Sequence, residues 1–238
     1  MSKLKDLKIK IFADGANVTE MKKIYSEGVV KGFTTNPTLM KKDGVKDYVA
    51  FAKDVLSEIK SMPISFEVFT DDFESMERQA REIASWGENV YIKIPITNTE
   101  GKPSYELIRE LNSDGMKLNI TAILTIEQVE KVAENIISDT PTIVSLFAGR
   151  IADTGRDPVP YVNKSVDILK NLPNAELLWA SSREVLNIFQ AEECGCQIIT
   201  VTNDLLKKLS MYDKDLKELS LDTVKMFYND AKSAGYSF

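Results

Sequence analysis

Lys93 is the residue with the sharpest chemical meaning in this sequence. It stands in Val90-Tyr91-Ile92-Lys93-Ile94-Pro95-Ile96, an ammonium inside an apolar, strand-like run. Burial strips hydration from the charged form and favours the neutral amine. That is the form that adds to a carbonyl and makes a Schiff base. The other reading of the same pattern is a lysine that reaches solvent at a strand end or pairs with a carboxylate. Asp14 and Glu67 lie at or near the ends of two more apolar runs, 9–13 and 64–68, and are candidate proton carriers. Each also has a structural use. Asp14 precedes Gly15 and could cap a helix or close an Asx turn, and Glu67 could be the counter-ion of a buried lysine. Arg150, Ser181 and Arg183 make a candidate anion site. A guanidinium fork matches phosphate oxygens, and a helix opening near Arg183 would add backbone donors. Surface pairing of the arginines with Asp153, Asp157 or Glu184 is the alternative.

The 238 residues contain no histidine. Ser-His and Cys-His nucleophile pairs and His-ligated metal centres are therefore excluded. Proton transfer falls to Asp, Glu, Lys or Tyr. The two cysteines, Cys194 and Cys196, sit one residue apart and offer neither a disulfide framework nor a metal quartet. Acidic residues outnumber basic ones 36 to 30, a net charge of −6. No broad phosphate-neutralising surface results, which speaks against nucleic acid as a partner. The opening residues, 1–14, hold no apolar run long enough for a signal peptide or a membrane span. The expectation is a reduced, cytoplasmic setting with no membrane partner.

Something must position these side chains, and the sequence pattern supplies it. Short apolar runs at 9–13, 32–35, 64–68, 89–94, 118–123, 142–147, 177–180 and 197–201 predict strands. Between them, helical spacing predicts helices at 19–27, 45–60, 73–86, 105–112, 159–172 and 183–193, with more from Asp204 onward. Thr125 and Gln128 make a capping box for another helix, through Ile137. Eight strand–helix units in a chain of this length point to a single-domain (β/α)8 TIM barrel over 1–238. A doubly wound open sheet is the alternative, but no G-x-G-x-x-G or P-loop supports it. Chemistry in such barrels sits at the C-terminal strand ends. Read in order, those ends present Asp14, Thr35-Asn36, Glu67, Lys93, Asn119 with Thr121, Ser145 with Arg150 beyond it, and Ser181 before Arg183. Seven polar ends of eight argue for one common pocket. Residues 204–238 add C-terminal helices. Val224, Phe227, Tyr228 and Ala231 form an apolar stripe there. Packing of that stripe on a neighbouring subunit is the expectation, and folding back on its own barrel is the alternative.

Five segments together resemble the transaldolase family. Gly32-Phe33-Thr34-Thr35-Asn36-Pro37-Thr38-Leu39-Met40 looks like its T-[ST]-N-P signature after the second strand, and Tyr91-Ile92-Lys93-Ile94-Pro95 like its Schiff-base lysine segment. Leu118-Asn119-Ile120-Thr121 resembles its N-x-T, Ser145-Leu146-Phe147-Ala148-Gly149-Arg150 its S-x-F-x-G-R, and Ala180-Ser181-Ser182-Arg183 its A-S-x-R. The resemblance implies roles. Lys93 would form the Schiff base with a ketose carbonyl, and Asp14 would move the hydroxyl proton during C3–C4 cleavage. Glu67 and Thr121 would hold a water that assists imine formation. Asn36 and Asn119, supported by Thr35, would bind the dihydroxyacetone unit, and Arg150, Ser181 and Arg183 the phosphate. No cofactor or metal is implied, and the compact members' ring assemblies suggest a homo-oligomer, a pentamer or decamer. The fructose-6-phosphate aldolase branch, which releases free dihydroxyacetone, typically has Gln where this chain has Glu67 and Tyr where it has Phe147. Both positions here look like transaldolase, so the expectation is transfer between phosphorylated sugars. Aldol release is the alternative, and a non-catalytic sugar-phosphate-binding barrel a more remote one.

Overall fold

The computed structural model describes residues 7–137 and 139–236. The outer ends of the expected 1–238 domain, the leader reading at 1–6 and Ser138 lie outside the described residues. Among those described, parallel strands β1 (Lys10–Asp14), β2 (Gly32–Thr34), β3 (Ile64–Glu67), β4 (Val90–Pro95), β5 (Leu118–Ile123), β6 (Thr142–Leu146), β7 (Ala175–Trp179) and β8 (Ile198–Thr202) close into a barrel in sequence order. β1 pairs with β8, for example Ala13 with Val201, so no strand is left as a free edge.

The strand alternation sorts side chains into two cores. One face of the strands, with Phe33, Ile64, Phe66, Ile92, Ile94, Ile120 and Ile199 among its members, packs against the helices. A smaller inner cluster of Phe12, Ile143, Leu178, Ala180 and Ile198, with Tyr91 and Phe147 against it, fills the barrel. Gly32 is required by this plug, because a Cβ there would stand 2.5 Å from the Phe12 ring.

Helices α1 (Val18–Glu27), α2 (Pro37–Lys42), α3 (Tyr48–Glu58), α4 (Phe73–Ala84), α5 (Tyr105–Ser113) and α6 (Ile126–Asn135) follow strands β1 to β5. The Thr125–Gln128 capping box forms as expected. After β6 come α7 (Ala148–Asp153) and α8 (Val159–Leu169), after β7 α9 (Leu186–Glu193), and after β8 α10 (Asn203–Lys208) and α11 (Leu216–Ser233).

Two short helices were not expected from the sequence, α2 and α7. Asn36 caps α2 by accepting from the Leu39 N–H at 2.9 Å, with Pro37 at its first turn. The predicted helix at 45–60 accordingly begins only at Tyr48, capped by Asp47. The predicted start of α9 at Arg183 is also corrected. Asn187 accepts from the backbone N–H groups of Arg183 and Glu184 at 2.8 and 3.1 Å, and the helix begins at Leu186.

The C-terminal stripe does not fold back on its own barrel. None of the residues of α11 is buried, and Val224, Phe227 and Tyr228 are 60–67% exposed. Among the described residues, no helix is long and apolar enough to cross a membrane.

Candidate active site

Strand alternation and register carry the polar residues inward above the apolar plug. Glu67 stands opposite Lys93, and Lys93 opposite Asn119, in the β3–β4 and β4–β5 ladders. Lys93 is 6% exposed. Its ammonium lies 2.9 Å from Glu67 Oε2 and donates to the Thr35 carbonyl at 2.8 Å. Of the two readings of Lys93, the geometry shows the pairing with a carboxylate, and Glu67 is a partner that can take its proton. One N–H of the three stays uncommitted by these contacts.

Asp14 ends β1, and it caps no helix, since Asn17 does that for α1. The Thr34 hydroxyl donates to Asp14 Oδ1 at 2.9 Å. Thr34 also lies 2.5 Å from the Thr200 hydroxyl, which must be the donor because Thr34 has already spent its only proton. Burial raises the Asp14 carboxyl above its ordinary range, and the Lys93 ammonium with hydrogen bonds from Thr34 and Asn36 acts in the opposite direction. A carboxyl held this way can both accept and return a proton.

On the next two strands Asn119 is fully buried. Its amide donates to Ser65 Oγ at 2.9 Å and accepts from Ser145 Oγ at 2.7 Å. Thr121 is buried two residues further along β5, on the same face by alternation. Ala122 follows in a left-handed conformation, φ 63°, where the ladder to β6 shifts register. Such bulges re-aim neighbouring side chains.

The remaining candidates gather beyond β6 and β7. Gly149 N–H donates to the Ala180 carbonyl at 3.1 Å, and a Cβ on Gly149 would fall 1.6 Å from the Ser181 carbonyl oxygen. Only glycine lets these two segments meet. Ser181 is itself left-handed, φ 60°, a costly conformation for a side-chain-bearing residue. The contact sets Gly149, the residue before Arg150, against Ser181. Arg150 lies over the Phe147 ring, 5.5 Å from its centroid. Arg183 pairs with Asp153 in a bidentate contact through one guanidinium edge, Nε to Oδ1 at 3.0 Å and Nη2 to Oδ2, which is the surface pairing considered above. The backbone donors expected near Arg183 are occupied by Asn187.

Residues 11–238 match the family described as Transaldolase/Fructose-6-phosphate aldolase. The chain belongs to this family. A "Probable transaldolase" of Thermoanaerobacter is 34% identical over 228 residues, covering 95% of this chain and 99% of its own. One of Dehalococcoides mccartyi is 35% identical over 86% of this chain and 91% of its own. A "Probable transaldolase 2" of Listeria monocytogenes is 34% identical over 84% and 88%. A solved structure from Burkholderia cenocepacia, named for lyase or mutase activity, superposes with a TM-score of 0.59 over 88% of this chain and 84% of its own. At 12% identity it shares the barrel alone.

Family membership makes the chain an enzyme of the transferase or aldolase kind. Lys93, Glu67, Asp14 and Asn119 all face the interior at one mouth of the barrel. Thr34, Ser65 and Thr200 belong to it as well, and sequence reasoning missed them. Strand alternation was the available signal, since Ser65 is two residues before Glu67 and Thr200 two after Ile198. Among the described residues, no group of three or more His, Cys, Asp or Glu could hold a metal.

Proposed function

We propose that the chain is a transaldolase that carries a dihydroxyacetone unit on Lys93 from a ketose phosphate to an aldose phosphate. The observation that carries this reading is the pair of buried Lys93 with half-buried Glu67, 2.9 Å apart, in a barrel mouth that also holds Asp14. Glu67 takes a proton from the ammonium, and the freed amine adds to the ketose C2 carbonyl. Loss of water from the carbinolamine gives the imine, with Glu67 and Thr121 holding that water. Asp14 then accepts the C4 hydroxyl proton as the C3–C4 bond breaks, an aldose leaves, and the electron pair is held as the enamine of Lys93. An incoming aldehyde reverses these steps, and water releases the new ketose. No cofactor is needed.

Asn36 and Asn119 bind the hydroxyls of the three-carbon unit. Asn119 retains one N–H and one lone pair after its bonds to Ser65 and Ser145. Arg150, Ser181 and Arg183 take the phosphate once Arg183 exchanges Asp153 for it. The exposed stripe of α11 supports a homo-oligomer in which this helix packs on a neighbouring subunit. A monomer mass by light scattering at micromolar concentration would remove that part of the reading.

Transfer is favoured over release because Glu67 can shuttle a proton, as a glutamine cannot, and Phe147 brings no hydroxyl to the pocket. The test follows dihydroxyacetone and glyceraldehyde 3-phosphate with fructose 6-phosphate, with and without erythrose 4-phosphate. Rapid turnover only with the acceptor is expected, and Phe147→Tyr should shift product toward free dihydroxyacetone. Equal rates with and without acceptor would replace transfer by aldol release.

A further inference from the structure

The β2–β3 ladder loses a donor beside Glu67. Its rungs on this edge run from the Phe33 N–H to the Pro63 carbonyl at 2.8 Å, then from the Thr35 N–H to the Ser65 carbonyl at 3.2 Å. In a parallel pair the rungs advance by two residues on each strand. The next would run from residue 37 to the Glu67 carbonyl. Residue 37 is proline, which has no N–H, and the chain there turns into α2. A carbonyl at the end of a central strand would be left unpaired at the residue that faces Lys93.

Tyr48 fills the gap. Its hydroxyl donates to the Glu67 carbonyl at 3.0 Å, from the first residue of α3. The ring is fixed on several sides, with centroids 4.4 Å from Phe69, 5.5 Å from Trp86 and 6.1 Å from Phe66. Burial pushes the phenol up, so it stays a donor throughout the neutral range. On the opposite edge β3 remains zipped to β4, where the Val68 N–H donates to the Lys93 carbonyl at 3.2 Å. On the β2 side, the Tyr48 hydroxyl stands where that rung is missing.

We propose that Tyr48 is a positioning residue: its phenol substitutes for the absent Pro37 N–H and fixes the backbone from which Glu67 reaches Lys93. This rests on the proton-transfer role of Glu67 above. Tyr48 touches no substrate, and its effect passes through the Glu67 carboxylate. Tyr48→Phe keeps the ring and removes only the donor.

The test is a two-by-two cycle of Tyr48→Phe and Glu67→Gln on the full chain. Single-turnover imine formation is read by borohydride quenching with fructose 6-phosphate, alongside KM and the urea midpoint. Tyr48→Phe is expected to slow imine formation about tenfold, the effect of leaving one buried acceptor unpaired beside the reacting group. KM should stay within about twofold, because no substrate contact is lost. In the Glu67→Gln background, whose slower reaction is followed over longer times, the further loss should be under about twofold. Trp86→Phe, which loosens the same aromatic cluster but leaves the hydroxyl, serves as the packing control and should move the urea midpoint more than the rate. Equal losses from Tyr48→Phe in both backgrounds, or an unchanged rate in the parent, would overturn the positioning role. Either result leaves adduct formation at Lys93 intact, whereas failure of the parent to trap any adduct would fall on the Schiff-base reading itself.

Discussion

Across β1 to β6 most polar side chains of the mouth are buried, and several are hydrogen-bonded from one strand to another. Thr34, Thr35, Ser65, Lys93, Asn119, Thr121 and Ser145 are each 6% exposed or less, and the hydrogen bonds run from strand to strand around the wall. Beyond β6 the chemistry changes character. Arg183 is about half exposed, and Asp153, its partner, equally so. The Arg183 guanidinium hydrogen-bonds Asp153 and holds that carboxyl below the usual carboxylate range. The first region is assembled before any ligand arrives, as a reacting centre must be if positioning is not to be charged to each turnover. The second holds its cation on a water-screened carboxylate that a phosphate can displace at little cost. Under the proposed function, reaction geometry and ligand capture fall to different walls of one barrel, and different perturbations separate them.

Asp14→Asn should give the largest effect. It removes the proposed proton carrier of the buried wall, so transfer should fall by roughly 10²- to 10⁴-fold, with KM little changed. Stability should move the other way. Burial raises the Asp14 carboxyl above its ordinary range, so the folded chain gives up this proton less readily than the unfolded chain. Ionised Asp14 therefore costs stability at neutral pH. Asp14→Asn should raise the urea midpoint at pH 7, and the gain should fade as pH drops to the ordinary aspartate value of 3.8. A variant that is slow but no more stable at pH 7 would mean that Asp14 is not held at a cost.

Arg183→Ala should come next and act on binding. One charge-assisted contact is worth roughly 1.5–3 kcal/mol, so KM for phosphorylated sugars should rise about 10- to 100-fold, with little change for free dihydroxyacetone. Equal losses on both substrates would contradict the division between the walls.

The smallest effect should have the opposite sign. Asp153→Asn frees Arg183 from its partner, and KM for phosphorylated sugars should fall by about two- to five-fold, in keeping with an exposed pair. The gain should shrink at high salt. A rise in KM would show that Asp153 orients Arg183 for the ligand and does not compete with it.

Much of the barrel was legible because its strands are short apolar runs cut by turn signals. β5 falls on its predicted 118–123, and β4 runs one residue past the predicted end, through Pro95. The α2 and α7 helices were not legible. Each has six residues, too few for periodicity to show, and each is fixed by its surroundings: the Asn36 cap for α2, and the Gly149–Ser181 approach for α7. The charged site residues stood out because a charge in an apolar run is conspicuous. Thr34, Ser65 and Thr200 did not, because a hydroxyl in a strand looks like ordinary β-propensity. The pairings themselves, Lys93 with Glu67 and Arg183 with Asp153, depend on strand register and loop path, which composition does not encode. Tyr48 lies inside the predicted helix at 45–60, and its hydroxyl gains meaning only from the missing N–H of Pro37 across the ladder.

The central claim is that the buried wall makes a covalent bond through Lys93. Borohydride reduction in the presence of fructose 6-phosphate, followed by intact-mass measurement and peptide mapping, tests it most directly. One reduced three-carbon adduct per chain is expected, on Lys93, and none in Lys93→Ala. An adduct on another lysine, or trapping undiminished in Lys93→Ala, would contradict it.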